Sequence, residues 1–339
     1  MNGTTVTHPP PPLPPRRGRR IWLVAVPALI ALLWILGAAR PTSATRFWAR
    51  ARVGGEDEYP QFEETWSYGS GTTKVVRIAV DGPIFREIGA GFFSTVDPVE
   101  DALRQIRAAV NDKEVRGILL EVNSPGGAVT PCDEIHRALQ NFRTSATGRR
   151  VVVHVRDMAA SGGYYVAAAA DRIVAEPTAI VGSIGVLMES LNWHILSRRV
   201  GVDATVIRSG ENKDLLNPFR PVDSNHVAIL QRMVDEMHAR FRNLVAQGRG
   251  LSADEAAALA DGSVFTAARA RELKLVDKLG GFEDAVKQIA GLLDVETVKV
   301  VRYETRPRLW RELFRARLPD PLRGLQSATA PRLLMLWRS

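Results

Sequence analysis

VVVHVRDMAASGGYYVAAAA, residues 151–170, decides the fold class. Its opening run is β-branched except for His154, the composition of a strand buried on both faces. The small residues Ala159-Ala160-Ser161-Gly162-Gly163 follow, and then a helix-forming, alanine-rich stretch. Working outward, KVVRIAV (74–80), GILLEV (117–122), RIVA (172–175) and ATVIR (204–208) read as further strands. Helical patterns lie between them. Asp97-Pro98-Val99-Glu100 places a cap, a first-turn proline and an acid ahead of the apolar spacing Val99, Leu103, Ile106, Val110. Val227, Leu230, Val234, Met237, Phe241, Leu244 and Val245 mark a longer amphipathic helix, and Ser252 to Glu255 is a capping box for the next. Strands and helices alternating in this way make an α/β protein.

The chain has 339 residues, 45% hydrophobic and 24% charged, enough for a real core. One cysteine, Cys132, excludes an internal disulfide framework and a cysteine-based zinc site. The net charge of +8 sits at the ends: residues 1–20 carry +4, residues 304–339 carry +5, and residues 21–303 carry −1. The body is therefore not a nucleic-acid-binding domain.

Residues 21–39, IWLVAVPALIALLWILGAA, hold no charge, and at 1.5 Å per residue they span about one bilayer core. They read as a transmembrane helix. Arginines flank both sides, at 16, 17, 19 and 20 and at 40, 46, 50 and 52, so the charge bias for orientation is nearly tied. HPPPPLPP (8–15) is an extended spacer within the tail 1–20. Residues 40–72, rich in glycine and proline, read as a linker from membrane to body. Residues 306–318, RPRLWRELFRARL, suit a basic amphipathic helix within the tail 304–339, at a membrane surface or against a neighbour.

Three glycine-bearing turns follow strands and are the candidates for chemistry. In Asn123-Ser124-Pro125-Gly126-Gly127, the glycines permit positive φ and let backbone N–H groups face a ligand. The spacing is not that of a phosphate loop. Ser161, at the start of a helix among small residues, is an accessible hydroxyl beside the positive helix end, and Gly162 can aim its N–H at an oxyanion. A simple helix N-cap is the competing reading. The third turn is Gly182-Ser183-Ile184-Gly185, followed by Ser209-Gly210-Glu211-Asn212-Lys213-Asp214. None of the six histidines (8, 136, 154, 194, 226, 238) stands in a compelling triad setting. Of seven lysines, Lys213 lies in a small-residue loop after an expected buried strand. It can act as a base only if burial lowers its pKa from ~10.4 towards ~7–8; an ordinary solvated lysine is the alternative.

NSPGG, MAASGGYYVA, GSIGV and SGxxKD, in this order and spacing, resemble the signal peptide peptidase A (protease IV) family. The likeness extends over about residues 74–290, including ADGSVFTAARARELKLVDKLG. The resemblance implies a membrane-anchored serine protease with a Ser/Lys dyad on a Clp-protease/crotonase-like fold of repeated strand-strand-helix turns, here one domain at 73–303. It assigns Ser161 as nucleophile, Lys213 as general base, Ser183 as the residue orienting the lysine, and Gly126 or Gly127 with Gly162 as the oxyanion hole. Glu121-Val122 replaces the family's usual basic residue before the first motif, and Arg208 stands where lysine is common. The implied activity is cleavage of remnant signal peptides, without metal or nucleotide cofactor, by a ring-like homo-oligomer on the extracytoplasmic side of a bacterial inner membrane. Its active sites would form near subunit contacts. A crotonase-like acyl-CoA enzyme and a non-catalytic membrane scaffold are the rival expectations.

Overall fold

The structure, a computed structural model, describes residues 58–86, 97–304 and 332–337. Its strands are β1 (Glu63–Tyr68), β2 (Thr73–Asp81), β3 (Val115–Ser124), β4 (Gly126–Ala128), β5 (Arg150–Ala160) and β6 (Arg172–Ala175). They continue with β7 (Ile180–Gly182), β8 (Leu187–Glu189), β9 (Val264–Thr266), β10 (Lys278–Leu279), β11 (Val298–Glu304) and β12 (Arg332–Leu336). The helices are α1 (Pro98–Asn111), α2 (Val129–Thr144), α3 (Gly162–Ala167), α4 (His194–Arg199), α5 (Ser224–Arg249), α6 (Ala253–Ala258), α7 (Ala267–Glu272) and α8 (Phe282–Leu292).

The main sheet runs β1-β11-β2-β3-β5-β6-β10, parallel throughout except for β1 against β11. Both faces are covered, which is why its strands read as unbroken apolar runs. Ile118, Leu120 and Val122 of β3 and Val151, Val153 and Val155 of β5 face a core shared with α1, α2, α3 and α5. Leu119 and Val152 face the other way, onto Ala285, Val286 and Ile289 of α8. The caps read from the sequence are present: the Asp97 side chain accepts from the N–H groups of Val99 and Glu100, and Ser252 and Glu255 form a reciprocal box.

The strand β5 forks, and that fork positions the site. Its first half pairs with β6, whereas Met158 to Ala160 pair with β7, itself antiparallel to β9. The end of β5 thus keeps its pairing with β3, Ala159 opposite Ser124, while exchanging β6 for β7; a separate three-stranded sheet runs β4-β12-β8.

Three expectations need correction. Residues 204–208 form no strand. Among the described residues no strand pairs with them, and Ile207 is 97% exposed, because strand propensity without a partner holds nothing. The expected linker 40–72 contains β1 in its described part, where alternating side chains let it extend the sheet along β11. In the tail 304–339, Arg332–Leu336 is a strand. The candidate membrane helix 21–39, the spacer 8–15 and the amphipathic stretch 306–318 lie outside the described residues. Among the described residues, no helix is long and apolar enough to cross a membrane.

Candidate active site

Ser161 is the first residue beyond β5, and its backbone sits at φ 53°, ψ −117°, a region where a residue with a β-carbon is strained by about 1–3 kcal/mol. Two backbone bonds hold it there. Its N–H donates to the Gly182 carbonyl at 2.7 Å, and its carbonyl accepts from the Tyr165 N–H at 2.9 Å. The hydroxyl makes no helix-capping bond, which removes the simple N-cap reading. The Oγ hydroxyl donates to the Gly185 carbonyl at 3.5 Å. Contrary to the expectation of an accessible hydroxyl, Ser161 is only 1% exposed.

The run of small residues around it is a packing requirement. A methyl group on Gly162 would lie 2.4 Å from Cys132 Sγ, and one on Gly163 would lie 2.6 Å from the Ser124 carbonyl oxygen. The turn is therefore pressed against α2 and the end of β3, and nothing larger fits. Cys132 is itself fully buried, and burial pushes its thiol pKa up, so it is no rival nucleophile.

The turn before β4 faces Ser161's own. Gly126 adopts φ 99°, and its N–H is taken up locally by Ser124 Oγ at 3.1 Å. Ile84 binds the Gly126 carbonyl (2.8 Å) and the Ala128 N–H (3.0 Å). Successive N–H groups of an extended chain point to opposite edges, so the Gly127 N–H is directed the other way, toward β12. Across that edge Gly127 is paired with Met335. A methyl on Gly126 would strike the Met335 carbonyl oxygen at 1.9 Å and the Gly162 nitrogen at 2.6 Å, and one on Gly162 would lie 3.0 Å from both the Gly127 nitrogen and the same carbonyl oxygen. The Met335 carbonyl thus lies against the backbone of the Gly126 and Gly162 turns, on the edge toward which the Gly127 N–H is directed. That is the geometry an oxyanion hole offers to an acyl group beside a serine.

Ser183 lies with Ser161 in one cavity, lined also by Gly185, Leu187, His238, Leu334 and Trp337. It is buried at φ 52°, with its N–H donating to the Ser263 carbonyl at 2.7 Å. Lys213 is elsewhere. It sits on an exposed 3-10 turn, Glu211–Asp214, and does not line this cavity. The burial expected of it is not provided within one chain, because the strand expected to precede it is absent. Its neighbour Asp214 is engaged by Arg208 and by Arg220 at 3.5 Å; the Arg208 hydrogen bond holds that carboxyl below the usual range. The single chain therefore unites Ser161, Ser183 and the three glycines and leaves Lys213 apart.

Sequence reasoning missed two contributors. His238 lies on α5, on the same helical face as the buried Phe241 and Val245, and its Nε2 is buried without a hydrogen-bond partner among the described residues. The i, i+3, i+7 spacing was the signal that could have found it. The other is the segment 332–337, for which no local pattern pointed to a strand at the site.

The chain is similar to several known proteins. A model of "Peptidase family S49" matches residues 143–296, and one of "ClpP-like SDH-type serine proteinase" matches residues 79–195. A putative protease of Methanocaldococcus jannaschii is 39% identical over 57% of this chain and 61% of its own length. The putative signal peptide peptidase SppA of Enterococcus faecium is 30% identical over 81% of this chain and 80% of its own. A putative protease of Synechocystis sp. is 34% identical over 69% and 80%. Similarity at that level over four-fifths of two relatives, across the very residues that build the Ser161 turn, makes the chain a member of peptidase family S49 and a serine peptidase.

Proposed function

We propose that the protein is a membrane-anchored endopeptidase in which Ser161 attacks the substrate carbonyl and Lys213 acts as general base. Ser183 orients the lysine, and the N–H groups of Gly127 and Gly162 stabilise the oxyanion, Gly126 shaping the turn that presents them. The substrates are extended apolar peptides, remnant signal peptides among them, since the groove grips backbone and its lining is largely apolar. The anchor is residues 21–39, with the body on the extracytoplasmic side. The observation that carries this reading is the Met335 peptide carbonyl seated against the Gly126 and Gly162 turns, next to a serine held at φ 53°.

Lys213 reaches Ser161 from a second copy of the chain. Two observations support this: the lysine lies outside the Ser161 cavity of its own chain, and the residues before it form an exposed apolar arm (Leu191, Ile195, Leu196, Val200, Ile207) suited to a homo-oligomeric contact. A second reading takes His238 as the base, favoured by its buried, partnerless Nε2 in the same cavity as Ser161.

Labelling by a fluorophosphonate probe and cleavage of a short apolar peptide, measured on wild type, Ser161→Ala, Lys213→Ala and His238→Ala, test the assignment. Ser161→Ala and Lys213→Ala each lower cleavage by at least about 10³-fold, since members of a catalytic unit fail together. His238→Ala retains most activity. If Lys213→Ala keeps substantial activity and His238→Ala loses it, the dyad is wrong and histidine is the base.

A further inference from the structure

We infer that His238 is a specificity residue of the Ser161 cavity, its Nε2 selecting a substrate with a hydroxyl side chain, serine or threonine, at one position beside the cut. The inference rests on the protease reading above and adds one element of the substrate class.

His238 stands on a helix face that otherwise packs. Phe241 and Val245, three and seven residues further along α5, are fully buried in the main core, and Met237 and Leu244 pack against it. An aliphatic side chain would serve that packing better than an imidazole, because a ring nitrogen withdrawn from water without a partner destabilises the fold. Nε2 is such a nitrogen. The residue as a whole is partly exposed, yet this atom is covered and has no hydrogen-bond partner among the described residues. Other histidines of the chain find one: His136 Nδ1 meets the Tyr165 carbonyl and His194 Nδ1 the Phe219 carbonyl, each at 3.0 Å. Buried polar atoms left over in this way are uncommon, and each calls for a reason.

The place supplies the reason. His238 lines the same cavity as Ser161 and Ser183, a space of about 470 Å³ with Val186, Leu187 and Ala260 in its walls. Asp261, also in the wall, is occupied locally, its Oδ1 accepting from the Ser263 N–H at 2.9 Å. A peptide whose scissile bond meets Ser161 sends a side chain into this space, among apolar groups and beside a nitrogen that seeks a partner. A neutral imidazole offers either an N–H or a lone pair at Nε2, according to its tautomer, and a hydroxyl answers both. An ammonium answers only the lone pair and a carboxylate only the N–H, and either carries a charge in among apolar walls. An aliphatic side chain leaves Nε2 as it stands. Sites that hydrogen-bond a substrate hydroxyl discriminate against the analogue lacking it more sharply than apolar pockets discriminate by size. Valine and threonine have nearly the same shape, so the hydrogen bond is what separates them.

The test uses the full chain in detergent, as wild type, His238→Leu, His238→Phe and His238→Gln. A short apolar peptide is made with valine or threonine at each of the three positions on either side of its cleaved bond. The two members of each pair compete in one tube, and mass spectrometry reads the ratio of their kcat/KM values. A variant that is partly unfolded slows both members alike, so the ratio reports selection and not stability. The expected result is a preference of about tenfold for threonine at one position in wild type. That preference falls to parity in His238→Leu and His238→Phe, and it persists in His238→Gln, whose amide replaces the ring nitrogen. Wild type that cleaves the peptides with no threonine preference at any position, or a preference that survives in His238→Leu and His238→Phe, overturns the inference and leaves the protease reading standing. Loss of all cleavage in the three variants, each folded by circular dichroism, overturns it in favour of His238 as the base. Wild type that cuts no peptide overturns both the inference and the protease reading.

Discussion

At Ser161 the chain spends conformational energy to present a hydroxyl. The strained φ of 53° is held by the bonds to Gly182 and Tyr165, and a side chain at Gly126, Gly127, Gly162 or Gly163 would collide with its surroundings. Gly126→Ala is expected to lower kcat by at least about tenfold while the protein stays folded. Its β-carbon would combine a disfavoured φ of 99° with a 1.9 Å approach to the carbonyl that must be bound. Peptide hydrolysis beside a circular-dichroism spectrum checks this; unchanged kcat would remove Gly126 from the turn's catalytic geometry. A second expectation concerns the base. Only a neutral amine accepts the Ser161 proton, so activity falls on the acid side, and Ser183→Ala lowers kcat more than it raises KM because alignment matters most in the transition state. A pH–rate profile of wild type and Ser183→Ala tests both halves, and equal turnover would reduce Ser183 to a turn residue.

Among the elements, β5 and the arm 191–207 matter most. By pairing first with β6 and then with β7, β5 delivers Ser161 next to the three-stranded sheet in which β4 and β8 flank β12. The arm carries apolar side chains outward, with Ile195 at 67% and Ile207 at 97% exposure, an arrangement that a second copy would cover. Ile207→Asp is expected to shift the particle to smaller mass by light scattering and to lower peptide cleavage in parallel. The companion experiment mixes Ser161→Ala with Lys213→Ala chains under conditions of subunit exchange. If the dyad forms between copies, the mixture recovers a measurable fraction of wild-type activity that neither variant has alone; no recovery would place both residues within one chain.

Over the whole molecule, the charge buried in the sheet is expected to contribute to stability against acid. Glu121 of β3 stands in register with His154 of β5 and is almost fully buried. Burial works against its ionisation. The His154 imidazole, its Nδ1 at 3.7 Å and so too far to donate, and the Arg77 guanidinium, which does donate, more than offset this and hold the carboxyl at about 2. A carboxyl lowered in the folded state contributes stability that is complete above its unfolded value of about 4.5 and lost as pH falls from there toward 2. Melting temperatures of wild type should fall across that window, and those of Glu121→Gln should be lower at neutral pH but flatter below 4.5. Parallel curves would mean that Glu121 does not govern acid unfolding. At the same scale, the body is expected on the side of the membrane opposite residues 1–20, and its digestion by protease added to wall-stripped or outer-membrane-permeabilised cells checks the placement.

The strands β2, β3, β5 and β6, the caps of α1 and α6, and the glycine turns at 126 and 162 were legible because each rests on local chemistry: β-branched runs, side-chain oxygens ahead of helices, and residues without a β-carbon. The likeness of four short motifs then named Ser161, Ser183 and Lys213 without any structure. Local chemistry misjudged ATVIR, whose propensity found no partner, and EETWSY, whose partner β11 lies more than 200 residues away in the chain. The burial of Ser161, the separation of Lys213 from it, the facing of His238 into the cavity and the seating of Met335 against the Gly126 and Gly162 turns were decided by tertiary structure alone. Each depends on which distant segments share an edge or a wall, and long-range pairing leaves no periodicity in the segment that it captures.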